Sequence, residues 1–166
     1  MDDERELEKK NFIEDVGRLF EQAGLPRMAG RILGRLLLSD PSHQSLDELA
    51  EALMASKGSI STSTRLLIQI GLIERFSVPG VRHDYFRIRP SAFQHALKHG
   101  TEEIAQVRKL AKRGLELLDD ESSQARQGLE EMYNMYTFIE REYSLLLERW
   151  EQERERLQQK SVGKGG

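Results

Sequence analysis

No cysteine occurs anywhere in this 166-residue chain. That excludes disulfide staples, thiol nucleophiles and Cys-based zinc sites, and it is compatible with a cytoplasmic protein. No apolar run approaches the ~20 residues needed to span a bilayer, so no membrane partner is expected. The opening MDDERELEKK is acidic and charged, unlike a secretory signal. The patterns that announce common chemistries are also missing: no phosphate-binding glycine loop, no nucleophile elbow, no HExxH. Asp119-Asp120 sits in a polar interruption and reads as solvated charge. His95 and His99 are four residues apart with Glu102 and Glu103 following, a spacing at which two imidazoles can share a metal. Gly100 interrupts that stretch and no further ligand is specified, so an exposed pair without metal is the reading adopted. No catalytic residue, cofactor or metal site is expected.

What is present is charge, unevenly placed. Charged residues make up 32% of the chain against 38% apolar, a balance that suits long exposed helices. The net charge is -3. Residues 1–26 hold 4 Lys/Arg against 8 Asp/Glu, net -4; residues 27–90 hold 9 against 6, net +3; residues 91–166 hold 12 against 14, net -2. Only the middle third is basic, as a local phosphate-contacting surface would make it.

The periodicity divides the chain in the same places. Leu7, Phe12, Val16, Leu19, Phe20 and Ala23 predict a helix over 6–24, ended by Gly24. Pro26 suits the first turn of a second helix over 27–38, and Asp40-Pro41-Ser42 breaks it. Ser45 and Glu48 have capping-box spacing at the start of a short third helix. A tight turn is expected at Ser56-Lys57-Gly58, where glycine tolerates a geometry that a Cβ resists. The fourth helix, about 58–70, places Ile60, Ser63, Thr64, Leu67, Ile70 and Gly71 on one side and Ser61, Thr62, Arg65 and Gln69 on the other. Residues 72–78 and 83–89 hold the only convincing strands, joined through Pro79-Gly80. From Ser91 the chain is helical with a break or kink expected at His99-Gly100. Ile104, Val107, Ala111, Gly114 and Leu118 then keep a 4/3 rhythm. A long helix over about 124–159 carries Leu129, Met132, Tyr136, Ile139, Tyr143, Leu146, Trp150 and Leu157 on a heptad seam, with Glu153 its one charged member.

Helix, turn, helix and basic hairpin, in that order over 45–89, suit the major groove of DNA. The expected DNA-facing set is Lys57, Gly58, Ser59, Ser61, Thr62, Arg65 and Gln69, with Arg82 and His83 at the tip of the hairpin. Lys57 would pair with a phosphate. Gly58 and Ser59 would offer backbone N–H groups at a helix start, where the dipole also favours an anion. Ser61, Thr62 and Arg65 would reach base edges. Arg75, Arg87 and Arg89 suit added backbone contacts, and for Arg87 and Arg89 protection of a sheet edge by charge is an equal reading. Arg27 and Arg31 suit phosphate contact or bracing of the fold. The long C-terminal seam needs a partner, most simply the same region of a second copy, so Leu129, Met132, Tyr136, Ile139, Tyr143, Leu146 and Trp150 are the expected dimerisation residues. Rings seven apart at Tyr136, Tyr143 and Trp150 suit a quaternary ammonium cage as well, but the heptad already explains their spacing.

Three separated motifs then resemble one known family. GLPRMAGRI (Gly24 to Ile32), SKGSIS (Ser56 to Ser61) and G-x-R-x-D-Y-F (Gly80 to Phe86) occur in the order found in the GbsR/MarR-type transcriptional regulators, over roughly 11–118. The resemblance implies a dimeric winged-helix repressor or activator, with wing and recognition helix on operator DNA and terminal helices holding the dimer. Family members are associated with osmoprotectant genes and other stress functions, often under effector control.

The expectation is therefore a mainly α fold with a small β-hairpin wing. Residues 1–26 form an N-terminal helix contributing to a dimer platform, 27–90 a winged helix-turn-helix, 91–160 a helical dimerisation region and 161–166 a disordered tail. The expected partners are double-stranded DNA, a second copy of the chain and an unidentified small-molecule effector. The competing reading is a winged-helix protein-interaction module without specific DNA binding.

Overall fold

Glycines facing one another across the first two helices set how closely the N-terminal end packs. The computed structural model describes residues 2–118 and 124–162. Helix α1 (Asp2–Gln22) lies against α2 (Arg27–Leu38). A Cβ added to Gly30 would stand 2.5 Å from the Val16 carbonyl oxygen, and one added to Gly34 would stand 3.1 Å from Ile13 Cα. At Gly30 that proximity leaves room for hydrogen alone. α1 starts four residues earlier than its apolar rhythm predicts. Its first turns are exposed and charged, carry the Glu6–Lys9 pair and hold nothing that breaks a helix. It ends as expected at Gly24, where φ is +77° and the Leu25 N–H reaches the Phe20 carbonyl.

A short strand, β1 (His43–Ser45), was not expected from the sequence. Three residues following a proline break carry too little periodicity to reveal it. Its partner β3 (Asp84–Ile88) supplies the reason it forms: Gln44 pairs with Phe86 and Ser45 with Tyr85. β3 also pairs antiparallel with β2 (Ile73–Ser77), giving a three-stranded sheet of order β1-β3-β2. The β2–β3 connection turns at Pro79-Gly80, with the Val81 N–H on the Val78 carbonyl and Gly80 at φ +84°.

Between β1 and β2 lie α3 (Leu46–Ala52) and α4 (Lys57–Gln69). Ser45 caps α3 through a complete capping box: its hydroxyl accepts from the Glu48 N–H, and its own N–H donates to Glu48 Oε2 at 2.6 Å. α4 buries Ile60, Ser63, Thr64 and Leu67, as its periodicity predicts. Together with Ile32, Leu33 and Leu36 of α2, Leu49, Ile73 and Phe86, these apolar residues form one core beneath the sheet and helices.

The turn between α3 and α4 is not where the sequence places it. Lys57 and Gly58 already belong to α4, and Ser56 is its cap. The left-handed residue is Met54, at φ +48°. The Ala55 N–H returns to the Ala50 carbonyl and the Met54 N–H to Glu51, so Met54 occupies the seat that glycine usually takes after a helix. Gly58 therefore does not serve the turn.

Helix α5 (Ala92–Glu116) runs without a break through His99 and Gly100, against expectation. Gly100 lies opposite Tyr143 of the following helix, where a Cβ would make ordinary contact with the hydroxyl at 3.4 Å. Helix α6 (Gln124–Val162) follows, including the first two residues of the expected tail. The expected polar interruption at 119–123 and the rest of the tail, 163–166, lie outside the described residues. At 39 residues α6 is about 58 Å long.

The described chain divides into two compact units between Ala96 and Leu97. The first is a winged helix-turn-helix preceded by α1. The second pairs the remainder of α5 with α6. Gly114 faces Leu129 and Gly100 faces Tyr143, so these two glycines of α5 meet large residues of α6 in antiparallel register. Arg108–Glu140 and Lys98–Glu151 ion pairs flank that seam. Two members of the expected intermolecular stripe thus already have a partner within the chain.

Candidate nucleic-acid interface

The candidate reader face lies on α4. Its inner side is anchored in the core, while Thr62, Arg65 and Gln69 are exposed and Ser61 is half-buried. Thr64 completes the division: its hydroxyl donates to the Ile60 carbonyl at 2.9 Å, so a polar group is satisfied on the packed side. Arg65 lies along its own helix, with Nε 3.3 Å from the Ser61 carbonyl oxygen. The guanidinium is thus oriented along the face that carries Ser61 and Thr62.

A cleft of about 350 Å³ separates α4 from the sheet. It brings together Ser61 and Arg65 of α4 with His83 of the wing, over a floor that includes Ile68 and Phe86. Arg82 and His83 are exposed beyond the strand end, and His83 Nε2 lies 3.0 Å from the Tyr85 hydroxyl. Lys57, Gly58 and Ser59 occupy the first turn of α4 outside the cleft's lining, although Lys57 pairs with Asp47 on its rim, and Gln69 is at the last turn. The Ser59 N–H is already taken by the Ser56 hydroxyl at 3.2 Å, which reduces its value as an anion donor.

Carboxylates stand beside several of the basic groups. Lys57 Nζ is 2.7 Å from Asp47 Oδ1, Arg75 is 3.4 Å from Asp84, and Arg87 is 2.6 Å from Glu74 while also lying over the Phe76 ring. Sequence reasoning missed all three acids. Asp47 and Lys57 are on different helices, so no spacing relates them. Asp84 and Arg75 were within reach, because once Pro79-Gly80 fixes the hairpin, Ser77 opposes Asp84 and Arg75 becomes its diagonal neighbour.

Arg27 and Arg31 converge on Glu14 of α1. Arg27 Nη2 donates to Glu14 Oε2 at 2.8 Å and Arg31 Nε to Oε1 at 2.7 Å. Burial pushes the Glu14 carboxyl up, but the two guanidinium groups outweigh it and hold the carboxyl below its ordinary value. Both arginines are braces within this structure.

On α6, the seven residues expected at a dimer seam share one stripe but differ in exposure along it. Leu129, Met132, Tyr136, Ile139 and Tyr143 are half-buried, whereas Leu146 and Trp150 are 56% and 41% exposed. Phe138 and Leu145, outside the expected set, are also exposed and join Leu146 in a groove bordered by Glu142 and Arg149. A strict heptad reading selects one line and passes over these neighbours on the adjoining face. Among the described residues, no helix is long and apolar enough to cross a membrane.

Comparison with known proteins agrees with this architecture. Residues 91–153 match the family model described as MmpR5-like MarR family transcriptional regulator. The chain is 45% identical over 141 residues to the HTH-type transcriptional regulator MmpR5 of Mycobacterium tuberculosis, covering 85% of this chain and 86% of that protein. It is 28% identical over 89 residues to the putative HTH-type transcriptional regulator YvaV of Bacillus subtilis, covering 54% and 50%. A crystal structure described as a transcriptional regulator superposes with a TM-score of 0.79 at 43% identity, covering 87% of this chain and 99% of that one. The family model falls on the helical C-terminal region, while the motifs of the resemblance lie mainly in the winged unit, so the two findings are carried by different stretches. The chain belongs to the MmpR5-like MarR family of transcriptional regulators, a family of DNA-binding regulators rather than enzymes.

Proposed function

We propose that the chain acts in the cytoplasm as a homodimeric, sequence-specific regulator bound to a near-palindromic operator in double-stranded DNA. The observation that carries this reading is the two-sided character of α4: a buried side fixed in the core and an exposed side of Thr62, Arg65 and Gln69, with the wing beside it. Arg65 reads a base edge with Ser61 and Thr62, Lys57 with Gly58 and Ser59 meets the backbone, and Arg82 and His83 reach the minor groove or its phosphates. The exposed apolar stripe of α6, including Leu146 and Trp150, and the exposed Leu7, Phe12 and Leu19 of α1 supply the surface between copies. Recognition helices in a binding-competent dimer are ~34–36 Å apart. A small-molecule effector acts by changing that separation through the helical platform.

Selection of bound DNA from a random pool tests the reading directly. A symmetric motif is expected, and failure to enrich any motif overturns it. Arg65→Ala is expected to weaken binding to the selected site by ~1–3 kcal/mol and to relax one base position. Lys57→Ala is expected to weaken all sequences alike and to flatten the salt dependence. Titration with a metabolite panel checks the effector: no change in DNA affinity with any compound removes that part of the proposal.

The pairing of Lys57, Arg75 and Arg87 with carboxylates favours the rival reading, a protein-docking winged helix with a muted positive ridge. Random duplex DNA at low salt separates the two, because a docking module shows little binding there.

A further inference from the structure

One guanidinium joins three elements of the winged unit. Arg31 rises from α2 and is only 20% exposed at its side chain. Its Nε donates to Glu14 of α1 at 2.7 Å, and its Nη2 donates to the Leu53 carbonyl at 3.2 Å. Leu53 is the C-cap of α3, where backbone carbonyls lack helical partners. The next residue is Met54, the left-handed hinge from which the chain departs toward α4. Room for the connection is provided by Gly17: a Cβ there would stand 2.9 Å from Arg31 Cγ and 3.1 Å from Arg27 Cγ. The stems of both arginines therefore cross α1 at its glycine.

We infer that Arg31 is a positioning residue for the reader, through which the seating of α1 is transmitted to the turn before α4. The inference rests on the DNA-reading role proposed for α4 and specifies how that face is held. The planar fork of arginine is what the arrangement uses. One edge is fixed by a carboxylate on α1, leaving another N–H aimed at the carbonyl. Loss of the Glu14 carboxylate frees the guanidinium to rotate, and the Leu53 carbonyl then loses its donor although nothing in the turn has been altered. Because α1 carries the exposed Leu7, Phe12 and Leu19, whatever covers that face acts on the same helix that holds Arg31.

The test is amide hydrogen exchange on the full-length chain, read residue by residue, together with DNA affinity. Arg31→Met removes both donors but keeps an apolar stem. Glu14→Ala removes the carboxylate from a helix that does not supply the turn. Both are expected to raise exchange at Ala55 and Ser59 by about tenfold or more, while core amides such as Leu67 remain protected. In the Arg31→Met background, Glu14→Ala should add nothing, since its route to the turn is already cut. Arg27→Ala removes the other partner of Glu14 and should leave the turn unchanged. Arg31→Lys should restore at most one of the two bonds and give an intermediate rate. Affinity for the selected site should fall about tenfold in Glu14→Ala, with affinity for random duplex moving less than about twofold.

Unchanged turn exchange in Glu14→Ala overturns the inference, as do additive effects of the two substitutions. A rise spread equally over core amides also overturns it, because that is the mark of general destabilisation. If the wild-type chain enriches no DNA motif, the regulator reading fails by that measurement alone, while the exchange data still decide whether Arg31 couples α1 to the turn.

Discussion

Lys57 Nζ lies 2.7 Å from Asp47 Oδ1, so the lysine expected to hold a phosphate already holds a carboxylate. Both side chains are well exposed, and such pairs contribute about 0–1 kcal/mol. In the proposed complex a phosphate displaces the carboxylate at little cost, but Asp47 stays near that phosphate and repels it. Asp47→Asn is therefore expected to tighten binding to specific and random duplex alike, by roughly three- to tenfold at low salt. The gain should shrink as salt rises. Fluorescence anisotropy across a salt series measures this, and an unchanged or weaker affinity would show that Asp47 does not restrain Lys57.

The glycines of the first unit divide into those that make room and those that do not. Gly30→Ala forces a Cβ to within 2.5 Å of the Val16 carbonyl oxygen, and separation of α1 from α2 is expected to cost ~1–3 kcal/mol despite the better helix propensity of alanine. Gly58→Ala meets nothing closer than the Ser56 hydroxyl at 4.0 Å and should stabilise the fold by up to ~1 kcal/mol. Urea denaturation of both variants checks the opposed signs. A stable Gly30→Ala protein would contradict the close approach of the two helices.

Long periodic segments were legible in the sequence because many residues repeat one message. The limits of α2 and the two faces of α4 follow directly from apolar spacing and from Pro26 and Gly71. β1 was not legible, since its three residues owe their conformation to β3 far along the chain. The turn was misplaced because glycine at 58 was given the left-handed seat that Met54 occupies. His99-Gly100 reads as a break from local propensity, which cannot show that α5 continues there with Gly100 facing Tyr143. For the reader face, residue types and exposure could be anticipated. Of the carboxylates that answer the cations, Asp84 follows from the hairpin register, whereas Asp47–Lys57 and Glu14–Arg31 are tertiary pairs that no spacing relates.

Met54 combines a left-handed backbone with 92% exposure. A side chain in that backbone region costs about 1 kcal/mol, and one so exposed recovers little through packing. Met54→Gly is expected to raise stability by ~0.5–1 kcal/mol, the gain being reduced by the greater freedom of glycine in the unfolded chain. The shift in the thermal midpoint measures it. A loss of stability would mean that the methionine makes an interaction not visible in the isolated chain, and comparison with and without DNA would then locate it.

The Glu48 carboxyl is held below its ordinary value of 4.5, first by the backbone N–H of Ser45, then by the Ser45 hydroxyl, with the imidazoles of His83 and His43 adding to the effect. A lowered folded value means that the folded state binds fewer protons than the unfolded one. The contribution is therefore complete above about pH 4.5 and disappears as pH falls through the lowered value. Glu48→Gln keeps an oxygen for the Ser45 N–H but cannot titrate there. It should be less stable than the wild type at pH 7 by under ~1 kcal/mol, because Glu48 is screened by solvent, and the difference should close as pH falls through the lowered value. Denaturation at pH 7, 4.5 and 3 follows that convergence. A gap that stays constant with pH would show that the capping box holds through geometry alone and that its charge contributes nothing.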